Sequence, residues 1–170
     1  MISLQANDFE LFDLPPRFAQ DEAQLQARWK ALQRQAHPDR FASEGAAAQR
    51  VAMQWSVRIN EVYRRLLDPL ARAAYLCELR GAPVQAESNT QMPAAFLMQQ
   101  MAWREALDDD DSPAGLEALR QEVQAERTRL LDLLATQLDT QDDASAAVSS
   151  VRGLMFVNKF LRELHERLDR

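Results

Sequence analysis

The chain has 170 residues, of which 46% are hydrophobic, and its 26 acidic and 20 basic side chains give a net charge of −6. This length suffices for two small cores but not for a large enzyme fold, and the acidic balance disfavours contact with nucleic-acid phosphates. Because there are only 4 glycines and no alternating strand pattern, the composition predicts an all-α protein.

The first predicted element is a short helix that begins at Asn7 and ends before Pro15 and Pro16, because proline lacks the amide that continues a helix. A long helix follows from Asp21, since Asp21 and Gln24 have the spacing of a capping box. Its apolar residues recur at steps of four, three and four and leave a basic face on roughly the opposite side. The apolar residues are Leu25, Trp29, Leu32 and Ala36, and the basic residues are Lys30 and Arg34.

This long helix must end near His37, because Pro38 moves the preceding residue out of the α region and removes a backbone donor. An exposed loop is therefore predicted from His37, Pro38 and Asp39 onwards. A second long amphipathic helix follows, able to lie antiparallel to the first. Its apolar residues are Val51, Trp55, Ile59, Val62 and Leu66, and the residues of the short first helix that can cover the pair are Phe9, Leu11, Phe12 and Leu14.

Asp68-Pro69 interrupts the helical pattern, and a further short helix from Leu70 to Arg80 is stopped by Gly81. The next segment has no helical period, and we interpret residues 80–92 as a linker. It separates a first domain, residues 7–79, from a second domain, residues 93–170.

The second domain contains three helix patterns joined by short acidic turns, so that neighbouring helices should be antiparallel and form a bundle. The aspartates of these turns also suit the positive end of the helix that follows. The three patterns cover about residues 93–107, 113–138 and 144–168.

The first helix of this bundle has more apolar surface than a core-facing helix needs. At about 100° per residue its apolar side chains fall on two arcs, of which one can face the bundle and the other is exposed. The core arc is Phe96, Trp103 and Leu107, and the exposed arc is Leu97, Met98 and Met101, with Glu105 and Asp108 beside it. On the last helix, Phe156 lies about 120° from the centre of the main stripe, which is Leu154, Val157, Leu161, Leu164 and Leu168.

An apolar patch with adaptable methionines and an acidic rim is typical of a protein-binding face. The alternative is that the patch covers another part of the same chain, and the pattern alone leaves both interpretations open.

The tripeptide His37-Pro38-Asp39, placed between two patterned helices with a basic face on the first, resembles the J-domain of co-chaperones. The resemblance implies that this region docks on the ATPase domain of a DnaK-type chaperone and promotes ATP hydrolysis there. An ordinary turn built from Pro38 and Asp39 is the alternative, but it does not explain the basic face. The residues implied in chaperone binding are His37, Pro38, Asp39, Arg40, Lys30 and Arg34.

Over essentially its whole length the chain resembles the HscB family, through the J-domain pattern, the segment from Asp68 to Leu76, the run Phe96-Leu97-Met98 and the three-helix pattern. The resemblance implies a bundle that binds the iron–sulfur scaffold protein IscU and delivers it to the specialised DnaK-type chaperone HscA. Ala102 stands where some relatives carry Glu, and Asp109 is shorter than the more usual Glu. The implied scaffold-binding residues are Leu97, Met98, Met101, Glu105, Asp109 and Phe156.

One cysteine, Cys77, and two histidines, His37 and His165, are too few for a zinc or iron–sulfur site, so no metal and no cofactor are expected. Cys77 is interpreted as a small buried hydrophobe. The apolar runs are too short to span a bilayer and the N-terminus lacks a signal-peptide layout. We therefore expect a cytoplasmic protein without membrane or nucleic-acid partners.

Two other functions stay open. A general J-protein for other clients would be expected to carry a Gly/Phe-rich linker, zinc repeats or a β-rich client domain, and the sequence has none of these. A hydrolase could use His37 with Asp39 for proton transfer. These two residues lie two positions apart on a proline-constrained segment with no evident nucleophile, which makes a poor catalytic site.

Overall fold

The computed structural model describes Ser3, residues 5–85 and residues 92–170, and every regular element in these ranges is helical, as predicted. Residues 86–91 of the predicted linker, residues 80–92, lie outside the described residues. The chain divides into two compact units, Met1–Tyr75 and Leu76–Arg170. The helices are α1 (Asp8–Leu11), α2 (Glu22–Ala36), a 3-10 helix (Pro38–Glu44), α3 (Ala46–Leu67), α4 (Pro69–Leu79), α5 (Ala94–Asp109), α6 (Pro113–Ala135), a π-helical turn (Thr136–Thr140) and α7 (Ala144–Leu168). None of these described helices is long and apolar enough to cross a membrane.

Helix α1 is shorter than predicted. It begins with a full capping box, in which Asn7 accepts the amide of Glu10 and the Glu10 carboxylate accepts the amide of Asn7. It ends at Leu11 rather than at Pro15, because Asp13 adopts a left-handed conformation with φ of 52°. The amide of Asp13 then bonds the carbonyl of Glu10 at 3.2 Å, which closes the helix. The predicted role of proline as the stop signal was therefore wrong for this helix.

Helices α2 and α3 form the predicted antiparallel pair. The Asp21 carboxylate accepts the amides of Ala23 and Gln24, which is one half of the predicted capping box. Apolar side chains from both helices are buried against those of α1, and four that we expected in this core are Leu25, Ile59, Val62 and Leu66. Val51, expected on the same stripe, is half-exposed.

A row of polar side chains locks α2 to α3. Asn60 accepts bonds from the indole nitrogen of Trp29 at 2.9 Å and from the Gln33 amide at 2.7 Å. The Ser56 hydroxyl donates to Gln33 at 2.9 Å, and the rings of Trp29 and Tyr63 stack with their centroids 4.7 Å apart. Half-buried polar atoms are thus paired across the interface, which fixes the register of the two helices.

A buried carboxylate ties α1 to α3. The Asp8 side chain is fully buried and lies 3.0 Å from the Arg58 guanidinium and 2.8 Å from that of Arg65. The amide of Asp8 donates to the Tyr75 hydroxyl at 3.0 Å, and Arg65 lies over the Tyr75 ring. Burial raises the pKa of Tyr75. Two cations compensate the desolvation of one carboxylate, which makes Asp8 the main polar anchor of the first unit.

The second unit contains a three-helix bundle in which α6 is antiparallel to α7. Arg127 bonds Asn158 at 3.0 Å near the middle of the two helices, and Ser150 donates to Gln137 at 2.8 Å near one end. The Ser112 hydroxyl caps α6 by accepting the amide of Gly115. These contacts, together with buried apolar residues along α6 and α7, account for the predicted bundle.

Helix α4 ends as the sequence predicts. Gly81 has φ of 80°, a left-handed conformation that favours glycine, and its amide bonds the carbonyl of Glu78 at 3.1 Å.

Replacing Asp8 with Asn should destabilise the first unit by about 2–3 kcal/mol, because two arginines lose the charge that compensates them. Urea denaturation followed by circular dichroism measures this loss. The matched control is Asp13→Asn, which removes an exposed carboxylate 3.3 Å from Arg28 and should cost less than about 0.5 kcal/mol. Equal effects of the two substitutions would contradict the anchoring role of Asp8.

Candidate functional site

The tripeptide lies at the junction between α2 and the 3-10 helix. His37 is extended, with φ of −63° and ψ of 127°, as the residue before a proline must be, and Pro38 is the first residue of the 3-10 helix. The prediction of a loop was therefore wrong in detail, since residues 38–44 form helical turns. The side chains of His37 and Asp39 are 57% and 91% exposed, which leaves both accessible to a partner.

His37 also caps the 3-10 helix. Its Nδ1 accepts the amide of Asp39 at 3.2 Å and lies 3.6 Å from Oδ2 of the Asp39 carboxylate. A ring nitrogen that accepts an amide proton carries no proton itself, so the neutral ring has its hydrogen on Nε2. This leaves Nε2 as the outward donor of a side chain whose position is set by the backbone of the tripeptide.

The predicted basic residues Lys30, Arg34 and Arg40 are all exposed. The Arg34 side chain bonds the Lys30 carbonyl at 3.3 Å, and the Arg40 guanidinium reaches back to the Arg34 carbonyl at 3.2 Å. Although Arg40 follows the tripeptide in sequence, its charge therefore joins the basic face of α2. Five of the six residues predicted for chaperone binding lie in the last turn of α2 or directly after it, and Lys30 lies about two turns before the end of the same helix.

The two arcs predicted for α5 are separated as expected. Of the predicted core arc, Trp103 and Leu107 are buried and Phe96 is half-buried. In the other arc, Leu97, Met98 and Met101 are 44%, 70% and 67% exposed. Four of the residues predicted for scaffold binding line one open groove of about 520 Å³, with Gln100, Arg104 and Asp108 completing its lining. These four are Leu97, Met101, Glu105 and Phe156. Met98 and Asp109 are exposed on the same helix but do not line the groove.

Phe156, which lines this groove, belongs to an aromatic cluster with Trp103 and Phe160. Phe156 is half-buried, and its ring stacks on Trp103 and Phe160 with centroid distances of 6.3 and 5.9 Å. Trp103 is itself held by a 3.0 Å bond from its indole nitrogen to Glu122. Because Phe156 stacks with two buried rings and also lines the groove, these neighbours restrict the orientation of its ring there.

Sequence reasoning missed three residues that support this groove. Phe160 is fully buried in the aromatic cluster, and Arg104 lies over its ring while pairing with Glu163 at 2.7 Å. A Cβ at Gly153 would overlap the outer atoms of the Phe96 ring, so any larger residue here would force that ring to move. A signal was present, since Gly153, Phe156 and Phe160 are spaced by three and four residues and share one face of α7.

The single thiol and the acidic turn have local roles. Cys77 is buried, its Sγ lies 3.8 Å from the Ala144 carbonyl, and burial raises the pKa of the thiol. Asp110 accepts the amide of Ser112, and its hydrogen bonds with that residue lower the pKa of the carboxyl.

Among the residues that the structure describes, no three His, Cys, Asp or Glu side chains are grouped so that they could hold a metal ion.

Comparison with known proteins identifies close relatives. Residues 92–165 match the family model described as the HSCB C-terminal oligomerisation domain. The co-chaperone protein HscB homolog of Burkholderia multivorans is 48% identical over 173 aligned positions, which cover 100% of this chain and 98% of the relative. The corresponding protein of Bordetella pertussis is 51% identical over 157 positions, 92% of each chain.

Solved structures agree with these relatives. Chaperone HscB from Vibrio cholerae superposes with a TM-score of 0.81 at 36% identity, over 96% of this chain and 98% of that one. The crystal structure of the human co-chaperone protein HscB gives 0.89 at 26% identity, over 96% and 83% of the two chains. The fold is thus an N-terminal J-domain followed by a C-terminal three-helix bundle, which defines a J-protein. The chain belongs to the HscB family of co-chaperones.

Replacing Gly153 with Ala should lower the free energy of unfolding by about 1–2 kcal/mol, because the added methyl overlaps Phe96. Since alanine favours a helix by about 1 kcal/mol over glycine, the steric conflict is larger than the net loss by about that amount. Chemical denaturation provides the measurement. In a Phe96→Ala background the same substitution should be neutral or stabilising, and a loss that persists there would place the conflict elsewhere.

Proposed function

We propose that this protein stimulates the ATPase of an HscA-type chaperone and delivers to it an IscU-type iron–sulfur scaffold protein, which assists iron–sulfur cluster assembly. We assign the chaperone contact to residues 7–79 and the scaffold contact to residues 93–170. The observation that carries the proposal is the exposed apolar arc of α5, of which Leu97 and Met101 line an open groove together with Phe156. A surface of this kind in a chain with a J-domain suits one dedicated protein client.

The chemistry of the groove supports a protein ligand. Its exposed Leu97 and Met101 offer apolar area, and Phe156 adds an aromatic ring that stacks with Trp103. Burying such side chains contributes about 1.5–3 kcal/mol each, and well-packed aromatic anchors dominate most interfaces. Glu105 and Asp108 give the groove an acidic rim, which favours a scaffold segment that carries basic residues beside apolar ones.

The chemistry of the J-domain supports an electrostatically guided contact. The cluster of Lys30, Arg34 and Arg40 is basic in a chain of net charge −6, so it orients the protein toward an acidic partner surface. His37 then presents an Nε2 donor at a fixed position next to the Asp39 carboxylate. A short tripeptide can act as a trigger because its backbone and imidazole are already ordered by the 3-10 helix.

We also propose that the chain itself catalyses no reaction. Since the side chains of His37 and Asp39 are both largely exposed, they lie outside the enclosed, water-excluding environment in which acid–base catalysis is effective. Their arrangement suits contact with another protein.

Replacing His37 with Gln should abolish stimulation of chaperone ATP hydrolysis and leave scaffold affinity unchanged. The double substitution of Leu97 and Phe156 with Ala should do the reverse and weaken scaffold binding by about 3 kcal/mol, on the order of 100-fold. Steady-state ATPase assays and isothermal titration calorimetry measure the two activities. The same defect in both variants would refute the division of labour.

Two matched controls are available in the chain. His165→Gln removes the other, exposed histidine and should leave stimulation intact. Leu79→Ala truncates a leucine whose exposure, 43%, matches that of Leu97 but which does not line the groove, so it should leave scaffold affinity intact. Normal stimulation combined with no scaffold binding by the unmodified protein would instead favour a general J-protein with another client.

A further inference from the structure

Helix α5 exposes two thioethers on one face. Met98 and Met101 are three residues apart, and with 70% and 67% exposure they are the most accessible methionines in the part of the chain that the structure describes. Met53, on α3, is 55% exposed, while Met92 and Met155 are partly covered. Because the oxidation rate of methionine follows the exposure of its sulfur, these two side chains are well placed to react.

The groove beside them has no other readily oxidised group in its lining. Met101 lines it together with Leu97 and Phe156, whose side chains are inert to peroxide, and with Gln100, Arg104, Glu105 and Asp108. The single cysteine of the chain, Cys77, is buried with its thiol protonated, which makes it a slow competitor for oxidant. An oxidant that reaches this face therefore acts on its methionine sulfurs.

We infer that Met98 and Met101 form an oxidation-sensitive switch, in which their conversion to methionine sulfoxide releases the bound scaffold protein. The inference rests on the proposed function of this face. The oxidant is a hydroperoxide: the sulfur gives up two electrons and forms a bond to one peroxide oxygen as the O–O bond breaks, and with hydrogen peroxide the other oxygen leaves as water. A dithiol reductant reverses the step, since it takes up the oxygen as water and becomes a disulfide.

The physical reason for release is the polarity of the product. A thioether packs against apolar partners without needing a hydrogen bond, whereas a sulfoxide carries a strong acceptor that must be desolvated on binding. Each sulfoxide buried without a donor should weaken binding by about tenfold or more. The bundle itself should tolerate the change, because both side chains lie on its exposed arc and not in its core.

The test uses the full chain, hydrogen peroxide and an IscU-type scaffold protein. The protein is oxidised alone, the peroxide is removed with catalase, and scaffold affinity is then measured by calorimetry while peptide mass spectrometry reports the conversion of each methionine. We expect Met98 and Met101 to convert first and affinity to fall at least tenfold with their conversion. Methionine sulfoxide reductases A and B, added together with a dithiol reductant because each reduces one sulfoxide epimer, should restore it. Bound scaffold should protect both sulfurs from peroxide.

Two variants separate this inference from its alternatives. The double substitution of Met98 and Met101 with Leu keeps apolar side chains at both positions but removes both sulfurs. Whatever affinity this variant has for the scaffold, that affinity should not change after peroxide treatment. Met53→Leu removes the exposed methionine of the other unit and should remain fully sensitive. Undiminished affinity after complete conversion, or an equal loss in the leucine double variant, would overturn the inference. Absence of scaffold binding before any oxidation would instead refute the proposed function.

Discussion

Helix α5 carries apolar side chains on two arcs, and a three-helix bundle can bury only one of them. Trp103 and Leu107 occupy the buried arc, and the stack of Trp103 with Phe156 and Phe160 joins α5 to α7. The second arc then has to face solvent, at a cost in exposed apolar area that contributes nothing to the folding of this chain. The proposed function follows from this constraint, because the exposed arc contributes favourably once another protein covers it.

In both candidate sites, neighbouring groups hold in place a side chain that is accessible to a partner. His37 is fixed because its Nδ1 accepts the amide of Asp39, and Phe156 is fixed because it rests on two buried rings. Buried polar anchors keep the supporting helices in register, with Asp8 between Arg58 and Arg65 in the J-domain. Ordering these groups in the free protein lowers the conformational entropy that must be lost on binding.

Much of this arrangement follows from local pattern. The spacing of apolar residues predicted the long helices and the two arcs of α5, and Asp21 and Gly81 marked the helix ends where they were expected. The spacing of residues along the chain does not predict contacts between residues that are distant in sequence. Asp8 looks like an ordinary helix-starting acid, and its burial depends on arginines 50 and 57 residues away. Gly153 lies inside α7, where glycine is usually unfavourable. The absence of a side chain there makes room for the ring of Phe96, which comes from a different helix. Helix α1 ends before the predicted proline because Asp13 adopts a left-handed backbone conformation. Sequence patterns do not predict this conformation at Asp13, since it is mainly glycine that adopts it.

Delivery of a client to the chaperone is best tested by the steady-state rate of ATP hydrolysis by the HscA-type chaperone from the same source. This protein and the IscU-type scaffold are added singly and together. If the protein joins a client to the chaperone, the rate with both additions should exceed the sum of the increases produced by each alone. Stimulation that is independent of the scaffold would contradict delivery, and absence of any stimulation would contradict the assignment of the tripeptide as the chaperone trigger.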